Sequence, residues 1–390
     1  MSLVADTLIA DDAAASAGPA YLPVVMERVS AEAWDGIAAG FDDVCQEQLA
    51  AFARHRWPSV GLDPVIFRRD GEIVGGVLIM LQSLPLGVAR VAIAKWGPML
   101  ADADRPDAHL LYAGMVEALI EHYARARRMM LSIWPHADLA GQNRRFDQLI
   151  ARGFRAGSRL LFPNRYIVNL RLSDEEQRAS FEQKWRYHLK RSEKAGLSFE
   201  HGDASRMPEF DALYLAMTDR KRFADHSAYD TVPALLAASD ERLRPELFFV
   251  RHEGEIVAGA IIFKAGDHAV YLFGATNERA LPLRAGYFLH WHIIRWLRDH
   301  TPANWYDLGG TDGFHGLHQF KKGMVGARGV MTPVPPVANF AVYRFPRAAG
   351  TAAFAIRDVI QRLRRRLEWS KSDVAKPDQA KHTDTFAGER

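Results

Sequence analysis

One cysteine, Cys45, stands in 390 residues. A single thiol excludes an intramolecular disulfide framework, a cysteine-rich zinc site and an iron–sulfur cluster, and it suits a reducing cytoplasm. Long apolar runs are missing as well. The most apolar stretch, residues 73–88, is broken by Gly75, Gly76, Gln82, Ser83, Pro85 and Gly87, so it reads as a strand and a turn rather than a membrane span. Residues 1–20 are rich in Ala, Asp and Ser, without a basic leader or a continuous apolar centre, and read as a disordered tail rather than a secretory signal. Charge of one sign is scarce: 50 Lys and Arg against 47 Asp and Glu leave only +3. That balance is wrong for a coat of nucleic acid, yet compatible with a local basic groove. The common catalytic signatures are absent too: there is no G-x-S-x-G elbow, no Cys/His motif, no Walker A and no G-x-G-x-x-G.

What is present is an ordinary soluble composition, 48% hydrophobic and 25% charged. The length predicts two or three domains and a substantial core. The main organising feature is a weak internal repeat. Residues 70–79 read DGEIVGGVLI and residues 253–262 read EGEIVAGAII. Each is a Gly-centred turn leading into an apolar strand, preceded by a short strand (Val65–Arg68; Leu247–Arg251). Each is followed by a strand ending in an aromatic–Gly pair (Trp96–Gly97; Phe273–Gly274). The spacing of Leu111, Met115, Leu119 and Tyr123 then predicts a helix over 108–126, and that of Tyr287, Trp291, Ile294 and Leu297 another over 283–299. A buried strand closes each half (Met129–Trp134; Trp305–Leu308). A lone hairpin of good turn chemistry would explain the short motif; the matched order of later elements favours two copies of one α/β module. The boundary is placed near 171–175, where a strand (Tyr166–Leu170) gives way to a polar run. Ser173 with Glu176 there reads as a capping box.

Within the second half stand FEQKWRYHLKRSEKAGL (181–197), YDLGG (306–310) and GLHQFKKGMVG (316–326). These motifs, in this order, resemble the FemABX family, the aminoacyl-tRNA-dependent ligases that extend peptidoglycan stem peptides. The resemblance spans roughly residues 24–343, with Met324-Val325 where the family usually has an aromatic-Gly pair. It implies two tandem GNAT-like acyltransferase domains, each a mixed β-sheet flanked by helices, an α/β (α+β) class that agrees with the repeat. The expected layout is a tail over 1–20, one domain over 21–172, a second over 173–346, a basic helix over 347–371 and a tail over 372–390.

Transfer from an aminoacyl ester to an amine needs a neutral amine, close placement of the reactants, and donors that meet developing charge. It needs no covalent enzyme intermediate, in keeping with the missing nucleophile motifs. Lys321 is the first candidate. The chain has only 11 lysines, and Lys321-Lys322 lies between glycines. By resemblance Lys321 faces the acyl-tRNA, with Lys322 beside it; a solvated turn is the plainer reading of the pair. The resemblance also puts Arg54 and Arg220 at cationic positions for the pyrophosphate of a nucleotide-linked precursor, though both equally read as helix-surface arginines. It puts Asp102 near a carboxylate facing the acceptor, where a plain turn aspartate is the alternative. Tyr271 and Tyr306 fall at strand positions near the cleft of the second half, as hydrogen-bonding groups or as packing. Asp312, His315 and His318 have a spacing that can bind zinc, but the resemblance implies no metal and no cofactor. His188, His290 and His292 read as helix-face residues.

The last segment, 347–371, sets seven cations, Arg362, Arg364, Arg365 and Arg366 among them, against Asp358 and Glu368. Its apolar residues have helical spacing. Such a helix packs on its domain with a solvated basic face, or lies on an anionic membrane from the cytoplasmic side, or meets RNA. Three functions are therefore in competition. The leading one is transfer of an aminoacyl group from aminoacyl-tRNA to an amine of a peptidoglycan precursor or related envelope acceptor. The second is an acyl-CoA N-acyltransferase, whose Gln/Arg-x-x-Gly-x-Gly/Ala signature is not legible after either aromatic–Gly pair. The third is a non-catalytic envelope-assembly protein.

Overall fold

The computed structural model describes residues 20–87, 89–221 and 228–374. The tail expected over 1–20 lies almost wholly outside the described residues, as does the part of the last tail beyond residue 374. The first part of the chain supplies strands β1 (Val25–Arg28), β2 (Gly61–Arg69), β3 (Glu72–Ser83), β4 (Arg90–Lys95), β5 (Met99–Leu100), β6 (Met130–Trp134) and β7 (Arg155–Ala156). The second supplies β8 (Asn164–Asn169), β9 (Leu197–Gly202), β10 (Glu246–His252), β11 (Glu255–Phe263), β12 (His268–Thr276), β13 (Trp305–Asp307), β14 (Val330–Pro333) and β15 (Ala338–Phe340).

The repeated hairpins are β2–β3 and β10–β11. Both turn through two residues of positive φ, Asp70 and Gly71 (50° and 87°) and Glu253 and Gly254 (51° and 82°). That backbone matches the twist of antiparallel strands, and Gly is the residue that adopts it without strain. Each hairpin carries one bulge, at Phe67/Arg68 and at Val250/Arg251. The first sheet runs β1-β2-β3-β4-β6-β15-β7, with β5 beside β3; the second runs β9-β10-β11-β12-β13-β8-β14. Strand for strand the orders correspond, and among the described residues the parallel pairs β4·β6 and β12·β13 take equivalent places.

The topology corrects the boundary near 171–175. β8 precedes that boundary yet pairs with β13 and β14 in the second sheet. β15, late in the chain, pairs with β6 and β7 in the first. The halves therefore exchange their sixth strands. Alternating apolar residues mark 166–170 as a strand, but they carry no information about which sheet takes it. Ser173 does cap the helix Asp174–Ser180 through a full capping box with Glu176.

The helix predicted over 108–126 is continuous in extent, with a π-helical stretch over Ile120–Ala126. The second helix begins later than predicted, at Ala285, because Arg284 is left-handed (φ 57°) and separates it from a short helix at Ala280–Leu283. The final helix runs Arg344–Val374, longer at both ends than 347–371. Each sheet buries its own core, Leu111, Met115, Leu119 and Tyr123 on the first, Leu289, Trp291, Ile294 and Leu297 on the second. A further cluster joins the halves, with Trp34, Leu49 and Phe52 packed against Leu235, Phe263 and Val270.

The junction also has a backbone contact. Asp267 N donates to Asp42 O at 2.8 Å. The preceding Gly266 has φ +76°, and a Cβ there would lie 2.5 Å from Asp42 O. Gly196 has a similar φ of +65° with nothing within 4 Å of its Cβ position. Gly196→Ala is expected to lose about 1 kcal/mol from backbone strain alone. Gly266→Ala should lose more, roughly 2–3 kcal/mol, since it must also part the halves. Urea unfolding of the two variants measures the difference; equal losses would show that the junction yields freely.

Candidate active site

The two halves differ where their parallel strands end. In the first, β4 and β6 stay in register over five pairs, from Val91–Met130 to Lys95–Trp134. Trp96 N then donates to Trp134 O at 2.7 Å, and Trp96 packs on Trp134 (5.0 Å) and His136 (5.2 Å). That end is sealed by aromatic rings. In the second, β12 and β13 hold only three pairs, from His268–Trp305 to Val270–Asp307. β12 continues to Thr276 while β13 stops. The register between β11 and β12 slips at this point, leaving Leu272 without an opposite residue. A bulge re-aims the backbone and leaves one residue's groups off the ladder. The result is a wedge, with β12 from Tyr271 onward on one side and the Leu308–Gly310 turn on the other.

Lys321, from the helix His315–Val325, reaches into that turn. Its Nζ donates to Leu308 O at 2.5 Å and Gly310 O at 2.6 Å, and lies 5.8 Å from the Tyr271 ring centre. The residue is 6% exposed. Burial first, and Arg165 second, push its ammonium down to about 8, with Asp307 and Asp312 opposing. An ammonium has three N–H donors, so two brace the turn and one is left for a substrate. The turn is held from below as well. Gly309 N donates to Asp307 Oδ1 at 2.8 Å, and Arg165 forks onto the same carboxylate at 2.6–3.2 Å. Desolvation would raise Asp307, but Arg165, the Gly309 amide and His268 together hold the carboxyl below its usual range. Tyr306 is fully buried, its phenol within 3.2 Å of His290 Nδ1. Burial, then the Lys321 charge, pushes His290 down to about 3, so the imidazole is neutral and shares one hydrogen bond with the tyrosine.

The structure thus brings Lys321, Tyr271 and Tyr306 together. It leaves the other candidates apart. Lys322 is on the surface, 3.4 Å from Glu182. Arg54 is exposed and paired with Glu32 at 2.6 Å. Asp102 lies in an exposed turn of the first half, accepting from Asp104 N at 3.0 Å. Arg220 is on the helix Met207–Lys221, but its side chain lies outside the described residues. The zinc spacing is not used as a cluster: His318 Nδ1 is 2.5 Å from the Tyr166 hydroxyl, and His315 faces Gln319. Among the described residues no group of three or more His, Cys, Asp or Glu could hold a metal ion. Met324 and Val325 are buried and the helix continues through them to Gly326, whose φ of +61° ends it. Sequence reasoning missed the Arg165–Asp307 pair and His290. Asp307 stood inside the YDLGG motif, but Arg165 is distant in sequence and gave no local signal.

Residues 179–322 match the family model described as an Acetyltransferase (GNAT) domain. FemX superposes with a TM-score of 0.66 at 17% identity, over 81% of this chain and 97% of FemX. L-PGS from Bacillus licheniformis gives 0.52 at 14% identity, over 84% and 96%. A conserved protein of unknown function from Bacteroides thetaiotaomicron VPI-5482 gives 0.51 at 11%, over 81% and 98%. No curated protein sequence matches. The chain therefore has the tandem GNAT acyltransferase fold, and its likeness to FemX covers most of its length.

The depressed lysine has a consequence for stability. Unfolded, Lys321 holds its proton to about pH 10.5; folded, to about 8. Between these values the unfolded state binds the extra proton, so this group makes the fold more stable as pH rises from 8 to 10.5, by about 3 kcal/mol in full. Urea unfolding of the wild type and Lys321→Met across that range should show the wild type gaining relative to the variant. A difference independent of pH would mean that Lys321 titrates normally.

Proposed function

We propose that the chain is an aminoacyltransferase of FemABX type, acting in the cytoplasm on an amine of a peptidoglycan precursor or related envelope acceptor, with aminoacyl-tRNA as donor. The observation that carries this reading is the wedge between β12 and β13 with the buried Lys321 at its closed end, set against a sealed counterpart in the first half. The acceptor nitrogen, neutral, attacks the ester carbon of the donor. A C–N bond forms, the C–O bond to the ribose breaks, and the proton from nitrogen leaves with the departing oxygen or to water. The amide of Leu272, which has no opposite residue on β11 or β13, would meet the carbonyl oxygen as it gains charge. Lys321 acts from the opposite side, its remaining N–H directed to the charge of transfer or to a terminal phosphate. Tyr271 lines the approach, and Tyr306 with neutral His290 fixes the floor.

The other candidates have supporting parts. Lys322 offers a second cation to the donor from the surface. Asp102 would hold the acceptor's ammonium end, and Arg54 and Arg220 would contact the pyrophosphate of a nucleotide-linked acceptor, where a guanidinium forks onto phosphate oxygens. A tRNA donor brings many phosphates, so its affinity should fall by decades between low and moderate salt.

Steady-state kinetics test the assignment. Lys321→Ala should lower kcat by about 10²–10³ and leave the acceptor KM nearly unchanged, while Lys322→Ala should weaken donor affinity alone. Since the charged form is the active one, wild-type turnover should decline above pH 8, and Lys321→Arg, charged throughout, should lack that limb. Equal and small effects of the two alanine variants would place the chemistry elsewhere. Turnover with acyl-CoA in place of charged tRNA would replace the donor.

A further inference from the structure

The final helix, Arg344–Val374, has no part in the site above. Its first half is seated on the first sheet. Ala349, Ala353 and Phe354 pack against Leu84, Val91 and Met130. A Cβ on Gly350 would lie 2.3 Å from Met130 Cε, so the helix sits close. Among the described residues the last ties are the Ser158 hydroxyl to the Asp358 carboxylate and Arg357 Nη2 to Ser158 Oγ at 3.2 Å. At 1.5 Å per residue the whole helix is about 46 Å long, and sixteen residues follow Asp358 to its end.

A neighbouring face of the helix is apolar and bare. Phe345 (52%), Ile356 (60%), Val359 (48%), Ile360 (44%) and Leu363 (52%) are all exposed. At 100° per residue these five fall within one arc of about 100°. The cations fall on the remaining arc and its margins. The helix holds eight Arg and Lys against three carboxylates, an excess larger than that of the entire chain. The tetrad Arg362, Arg364, Arg365 and Arg366 follows Asp358 along the helix.

We propose that this helix docks the protein flat on an anionic lipid bilayer, its apolar arc among the acyl chains and its arginines at the headgroups. An apolar arc edged by arginine fits a surface that is apolar within and anionic at the rim. A second copy of the helix would supply the apolar match but set like charges together. RNA would match the charge but leave the apolar arc in water. Among the described residues no helix is long and apolar enough to cross a membrane, so the contact is peripheral. The inference does not depend on the donor or acceptor proposed above.

Co-sedimentation of the full chain with vesicles tests it. Vesicles of phosphatidylcholine mixed with phosphatidylglycerol should bind at least about tenfold more tightly than phosphatidylcholine alone. Ile356→Asn combined with Ile360→Asn should reduce binding to the anionic vesicles about tenfold. Replacing the four arginines of the tetrad by Gln should do so independently. Both altered proteins should keep the wild-type circular dichroism; Ile356 and Ile360 are exposed, and the tetrad follows the part of the helix seated on the sheet. Equal binding to the two lipids, no binding, or binding that ignores the isoleucine changes would overturn the proposal. So would a dimer in sedimentation equilibrium that those changes dissociate, or retention by uncharged tRNA with none by vesicles.

Discussion

The architecture turns on how far two parallel strands stay paired. A parallel pair with its full register has no space between its strands for a ligand; one that stops early must part, because its remaining backbone groups have no partner. β12 and β13 stop after Val270 and Asp307. The groups beyond that point are satisfied in another way: Lys321 takes the carbonyls of Leu308 and Gly310, and Asp307 takes the amide of Gly309. The lysine therefore braces the turn that forms one side of the wedge. Its low pKa follows from the same geometry, first from burial and second from the Arg165 charge, with Asp307 and Asp312 opposing.

The exchange of strands gives that wedge its support from the rest of the molecule. Arg165 is carried on β8, the strand that passes from the first half into the second sheet. Its ion pair with Asp307 thus ties the crossing strand to the end of β13. Tyr166, the next residue on β8, reaches the helix of Lys321 through His318. A buried pair of this kind adds little net stability compared with apolar packing, but losing one partner is severe. Its value here is registry: β8, β13 and the lysine helix take one mutual position.

Much of this was legible in the sequence where the signal is local. Asp70-Gly71 and Glu253-Gly254 dictate their turns by backbone chemistry, so the repeat showed in the letters and again in the sheets. The pairs Trp96–Gly97 and Phe273–Gly274 looked alike in sequence, yet only the first is sealed, because Trp134 from β6 and His136 just beyond it pack on Trp96. Lys321 stood out through its motif. Asp102, Arg54 and Lys322 matched positions by order along the chain, which does not fix whether a side chain faces a cleft or water. β8 could be recognised as a strand but not assigned to its sheet, since alternation defines faces and not partners. The final helix announced an apolar arc; only its packing through Gly350 and Phe354 showed that this arc is the bare one.

The central claim is that the donor enters the wedge of the second half and not its sealed counterpart. Hydrogen–deuterium exchange of the full chain, with and without an aminoacylated tRNA, tests it directly. The account predicts protection of backbone amides over 271–276 and 308–310, where β12 and β13 are no longer paired with each other, and no change over 92–97 and 131–136. Protection confined to the first half, with the amides around Lys321 unaffected, would contradict it.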